Sequence, residues 1–161
     1  MLDAIGERFR AEFGGAPFRR FFAPGRINLL GAHLDYNGGD VLPMAVDRGI
    51  YLAIRARDDG RFRLRSLDQE RTVDVAVGDV GERSRPEFGW AGYPLGVWQG
   101  FARTAGLTTG FDAVFGGDLP MASGLSSSAA IEVVTAIALD ALHQTRLERQ
   151  QLALLAHRAE T

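Results

Sequence analysis

The 161-residue sequence contains no cysteine and no lysine. Without thiols there is neither a disulfide framework nor a thiolate metal site, which fits a reducing compartment such as the cytoplasm. All 18 basic residues are arginine, so a lysine nucleophile, a Schiff base and a phosphate-clamping lysine are excluded, and with them the Walker-type P-loop. Residues 1–13 carry Asp3, Glu7, Arg8, Arg10 and Glu12 and lack the apolar run of a signal peptide. They read as a first amphipathic helix. With a net charge of -2 there is no basic footprint for phosphate backbones, so nucleic acid is not expected as a partner. Repeats, low-complexity tracts and linkers are missing too, leaving one domain over 1–161. What is present is 46% hydrophobic and 24% charged, the composition of a folded, soluble chain with no membrane partner.

Hydrophobic period places the elements. Residues 18–23 and 26–30 are apolar runs split by Pro24-Gly25, a pair that favours a turn, so two strands are expected. A polar loop over 33–40 follows, and 41–44 resume an extended run. Residues 50–57, 62–65 and 73–77 alternate with period two, as strands do. Asp58-Asp59-Gly60 predicts a hairpin between the first two. Residues 90–105 place Tyr93, Val97, Phe101 and Ala105 four apart, one face of a helix. A strand over 111–115, a loop over 116–125 and helices over 127–142 and 147–159 complete an α+β domain.

The string Pro120-Met121-Ala122-Ser123-Gly124-Leu125-Ser126-Ser127-Ser128-Ala129-Ala130 sets a glycine and three hydroxyls before an Ala-rich helix. Free N–H groups and the positive end of the dipole at a helix start attract phosphate, and glycine lets the backbone approach it. The same serines can equally act as helix caps. The full string resembles the ATP-binding motif of the GHMP kinases, named for galactokinase, homoserine kinase, mevalonate kinase and phosphomevalonate kinase.

A second string, Pro24-Gly25-Arg26-Ile27-Asn28-Leu29-Leu30-Gly31-Ala32-His33-Leu34-Asp35-Tyr36-Asn37-Gly38-Gly39, resembles the galactokinase signature. By itself His33-x-Asp35 is either a pair of fixed groups able to grip vicinal hydroxyls or a loop bonding to itself. The resemblance implies a sugar loop in which Gly31, Ala32, His33, Asp35 and Tyr36 bind substrate, and a catalytic Arg26 whose forked donors stabilise charge on the transferred phosphoryl group. It also implies that Trp90 and Tyr93 help form an adenine pocket, although aromatics at a helix start are as readily core. Pro120, Gly124, Leu125, Ser126, Ser127, Ser128 and Ala129 would hold the nucleotide, with Ser128 and Glu160 on Mg²⁺.

The fold implied is the GHMP-kinase N-terminal domain, a ribosomal-protein-like βαβ fold with a mixed sheet and helices on one face. The reaction implied is transfer of the ATP γ-phosphoryl group to the anomeric hydroxyl of galactose, in the cytoplasm, by a complete protein expected to be a monomer. Two departures qualify this. The family's catalytic Asp lies about a dozen residues beyond the Ala-Glu matched by Ala159-Glu160, so this chain alone is expected to be inactive. And Ala32 stands where the family has Glu, removing an acceptor for the sugar's exocyclic hydroxyl and a charge that would repel a C6 carboxylate. Galacturonic acid or another relative of galactose is therefore an alternative substrate, and an inactive sugar- and ATP-binding regulator an alternative role.

Overall fold

A computed structural model describes residues 1–31, 34, 37–81, 86–119 and 125–160, the side chains of Pro86 and Glu160 excepted. Five strands, β1 (Arg19–Leu30), β2 (Leu42–Arg57), β3 (Arg61–Ser66), β4 (Val73–Ala76) and β5 (Gly110–Gly117), form one sheet in the order β1-β2-β5-β3-β4. All neighbours are antiparallel except β3 and β5, which run parallel. The helices are α1 (Leu2–Phe13), α2 (Gly92–Ala105), α3 (Ser127–His143) and α4 (Arg149–Glu160).

β5 is the most buried strand, Phe111 to Gly116 all lying inside. Its even and odd residues face different cores. Phe111, Ala113 and Phe115 join Leu52, Ile54, Phe62 and Leu64 beneath α2, α3 and α4. Val114 joins Ala53 beneath Ile5, Phe9 and Phe13 of α1. Three helices thus cover one face as expected, while α1 takes the opposite one, which corrects the one-sided arrangement. The α1 face also holds Asp112, fully buried, which accepts hydrogen bonds from Arg55 (2.5 Å), Arg57 (2.8 Å) and Arg63 (2.7 and 3.0 Å).

Two expectations from turn signals are corrected. β1 runs unbroken through Pro24-Gly25, where its register against β2 jumps from Pro24↔Gly49 to Arg26↔Ala45. A bulge is a site where proline's missing N–H is tolerated, so the pair that reads as a turn instead marks an irregularity in one long strand. Likewise Asp58-Asp59-Gly60 joins β2 to β3, yet these are not partners. β5 lies between them, and the turn wraps its start, with Arg57 opposite Gly110 and the Arg61 backbone against the Gly110 Cα. Burial of a strand covered on both faces outweighs the local hairpin preference.

Beyond the bulge, residues 42–45 of β2 pair with β1 alone. This two-stranded ribbon and its loop expose Leu29, Leu30, Leu34, Val41, Leu42 and Met44.

Candidate functional site

The ends of the parallel strands β3 and β5 open onto a cleft of about 300 Å³. Ligands of sheets with parallel strands gather at such carboxyl ends. Its walls are Trp90, Tyr93, Ile50, Phe115, Leu119 and Ile131, and its polar groups include Ser66, Asp68, Gln69 and Ser127. Trp90 precedes α2 and Tyr93 lies in its first turn. Both are half-buried. Trp90 donates its indole N–H to Arg71 O (3.3 Å) and meets Phe115 edge-on, ring centroids 5.5 Å apart. The tryptophan that belongs to the core is Trp98, packed edge-on against Phe62 with its N–H on Thr109 O.

α3 begins at Ser127 beside this cleft. Ser126 occupies the N-cap position with φ 57° and ψ 47°, and its side chain makes no cap hydrogen bond. The cap role open to it in the sequence is therefore not the one it plays. A non-glycine residue held in the left-handed region costs about 1 kcal/mol or more and marks a backbone shaped by its surroundings. Ser128 and Ala129 follow in the first helical turn, half-buried. This polar helix start can receive an anion.

The two sequence strings meet here. Arg26 N–H donates to Leu125 O (3.2 Å), tying the middle of β1 to the residue before the serines. Gly25 makes this possible, since a Cβ there would lie 2.7 Å from Leu119 Cδ2 and 2.9 Å from Leu125 O. The Arg26 side chain is exposed and forms no ion pair among the described residues. Further along, Gly31 (φ 83°) starts the loop closed by Leu34 N–H on Gly31 O and Gly39 N–H on Leu34 O, both 2.9 Å. Ala32, His33, Asp35 and Tyr36 of the sugar loop, and Pro120 and Gly124 of the phosphate loop, lie outside the described residues, as does the Glu160 side chain. The backbone of α4 ends beside α2, where Ala159 meets Gly96.

Four polar residues of this region carry no motif. Ser66, the last residue of β3, forms the rim with Asp68 and Gln69 just beyond it. Asp118 accepts Gly49 N–H (2.7 Å) and the Tyr51 hydroxyl (3.4 Å); burial and the Asp118 charge raise the pKa of that phenol. The one signal for the rim is its position, a polar Ser-Leu-Asp-Gln-Glu run directly after a strand. Among the described residues no cluster of three or more metal-ligating side chains occurs, and no helix is long and apolar enough to cross a membrane.

The galactokinase galactose-binding signature matches residues 7–56, and the GHMP kinases N terminal domain matches residues 92–161. The galactokinase of Streptomyces coelicolor is 41% identical over 161 residues, 99% of this chain and 41% of that protein. That of Bacillus subtilis is 41% identical over 163 residues, 99% and 42% of the two chains. The crystal structure of Lactococcus lactis galactokinase complexed with galactose superposes with a TM-score of 0.86 at 34% identity, covering 99% of this chain and 42% of that one. Methanococcus jannaschii mevalonate kinase, at 21% identity and a TM-score of 0.80 over 90% of this chain and 46% of its own, shares the fold. The chain spans about two fifths of the length of the curated relatives it matches. With both halves of the sequence matched in this way and the same fold in the solved relatives, the chain belongs to the GHMP kinases, on their galactokinase branch, and corresponds to their N-terminal portion.

Proposed function

We propose that this chain is the sugar- and nucleotide-holding domain, residues 1–161, of a cytoplasmic ATP-dependent galactokinase. The observation that carries the reading is the junction of the two strings: Arg26 is bonded through its backbone to Leu125, two residues before Ser127 on the wall of a cleft whose aromatic residues and polar helix start suit a purine and its phosphates.

In this reading Trp90 and Tyr93 flank the base, and the first turn of α3 with Ser126 and Ser127 receives the phosphates. His33 and Asp35 grip the sugar hydroxyls. The anomeric oxygen bonds to the γ-phosphorus as the bond from that phosphorus to the β–γ bridging oxygen breaks. ADP leaves, and the hydroxyl proton passes to a carboxylate supplied by the remainder of the complete protein. Arg26, exposed and without an ion-pair partner among the described residues, is available to neutralise the three equatorial oxygens. Ser128, in the first turn of α3, and Glu160, at the end of α4, are the residues that would hold Mg²⁺, which offsets phosphate charge.

Galacturonate is the second reading, favoured by Ala32 alone. In the complete protein, ADP release with galactose is expected, and Arg26→Ala is expected to lower kcat by about 10³-fold. Ala32→Glu is expected to raise the ratio of kcat/KM for galactose over galacturonate. Undiminished turnover in Arg26→Ala refutes the assigned role, and an unchanged ratio refutes the reading of position 32.

A further inference from the structure

The cleft rim carries a bond that reaches the root of the phosphate loop. β3 ends at Ser66, opposite Phe115, while β5 continues to Gly117. Leu67 N–H still donates to Phe115 O (2.9 Å), and the chain then turns, Asp68 N–H donating to Ser66 Oγ (3.1 Å). The last N–H of β5 on this side, that of Gly117, has no β3 carbonyl to meet. Asp68 Oδ2 accepts it at 2.9 Å. On the other side Asp118 N–H donates to Gly49 O (3.2 Å) and Asp118 Oδ1 accepts Gly49 N–H (2.7 Å). The chain is thus gripped on both edges of β5 three residues before Pro120, the first residue of the phosphate-loop string.

We infer that Asp68 is a positioning residue of the nucleotide site: its carboxylate stands in for the missing rung at Gly117 and so fixes the direction in which the chain leaves β5 for the phosphate loop. The inference rests on the proposed nucleotide role of the cleft. Asp68 is exposed and pairs with no cation among the described residues. A negative charge on the rim of a triphosphate site opposes binding, so charge is not what Asp68 contributes there. A hydrogen-bond acceptor at this point is.

Electrostatics and geometry then pull in opposite directions, and substitutions separate them. Asp68→Asn keeps an acceptor oxygen and removes the charge, whereas Asp68→Ala removes both. The affinity of the chain for Mg²⁺·AMPPNP and for adenosine, measured by calorimetry, is expected to show Asp68→Ala weakening AMPPNP about tenfold, the scale of one lost hydrogen bond to an ionised acceptor, and adenosine less than about threefold. Asp68→Asn is expected to bind AMPPNP at least as well as wild type. Hydrogen exchange at the Gly117 amide should accelerate in Asp68→Ala and stay slow in Asp68→Asn, with thermal melts checking that both variants fold. Wild-type AMPPNP affinity in Asp68→Ala overturns the inference, and so does an equal loss for adenosine and AMPPNP, which would make Asp68 a base contact. A wild-type chain that binds neither ligand overturns the nucleotide reading itself.

Discussion

At the scale of the residue, a carboxylate sealed inside a sheet is tolerable only with cations and donors around it. Asp112 has three arginines. Burial raises its pKa, but the hydrogen bonds from Arg63, Arg55 and Arg57 outweigh burial and hold it below the ordinary carboxylate range. The arginines are positioned in turn: Arg55 donates to Phe13 O (3.2 Å) at the end of α1, and Arg63 lies over the Phe13 ring at 4.9 Å. Asp112→Asn leaves these cations without their shared anion and should cost about 3 kcal/mol in urea unfolding at neutral pH. Because the folded pKa is depressed, the carboxylate's contribution is present above the unfolded value of about 3.9 and is lost as the pH falls through the folded one. The gap between wild type and variant should therefore narrow only below about pH 4. A gap unchanged down to pH 2 would show that ionisation of Asp112 is not its source.

At the scale of the element, the turn from α3 to α4 invites a second measurement. Asp140 accepts the Thr145 hydroxyl (2.5 Å) and Leu147 N–H (3.0 Å), while Gln144 and Arg146 take positive φ. His143 closes α3 with Nε2 buried and without a hydrogen-bond partner among the described residues, and burial lowers its pKa. A histidine with a depressed folded pKa adds no penalty above about pH 6.5, and stability falls as the pH drops from there through the folded value. The melting temperature of the chain should decline over that window, and His143→Phe should flatten the decline; an identical slope in the variant would place its origin elsewhere.

The helices around this turn were legible because apolar period and length agree, and α3 and α4 fall within two residues of the expected bounds. α2 was found, but four-residue spacing from Tyr93 missed Leu95 and Trp98 on its buried face and included Ala105, which is exposed. The long strands were not legible at Pro24-Gly25, where a local turn signal is overridden by a bulge and a neighbouring loop. The partner of β2 was missed because strand pairing across some fifty residues leaves no local mark. Likewise the phosphate and sugar strings were readable as strings, whereas Asp68 acts through one bond to a backbone N–H and has no pattern around it.

At the scale of the whole molecule, the sheet is uneven in depth. Its interior is covered on both faces, but residues 27–30 and 42–44 pair only with each other and expose apolar side chains. An isolated two-stranded ribbon is marginal in water. Amides of these residues should exchange roughly a hundredfold or more faster than those of residues 50–54, about 3 kcal/mol less protected on the scale of local openings. Equal protection would show the ribbon to be as firmly held as the rest of the sheet.

The position of β5 between two strands made long before it sets the order in which the protein can be completed on the ribosome. The 51 residues separating Ser66 from Gly117 take roughly 3 to 10 s to synthesise. Throughout that interval β2 and β3 offer open edges, the condition in which nascent β-structure finds wrong partners. Both strands meanwhile carry arginine: Arg55, Arg57, Arg61, Arg63 and Arg65. Like charge keeps such edges from joining their own kind. Arrival of β5 ends the wait, because Asp112 brings the anion that gathers three of those arginines as the central strand slides between them. Three of the five side chains that guard an unfinished sheet thus help to lock it once a single carboxylate is delivered.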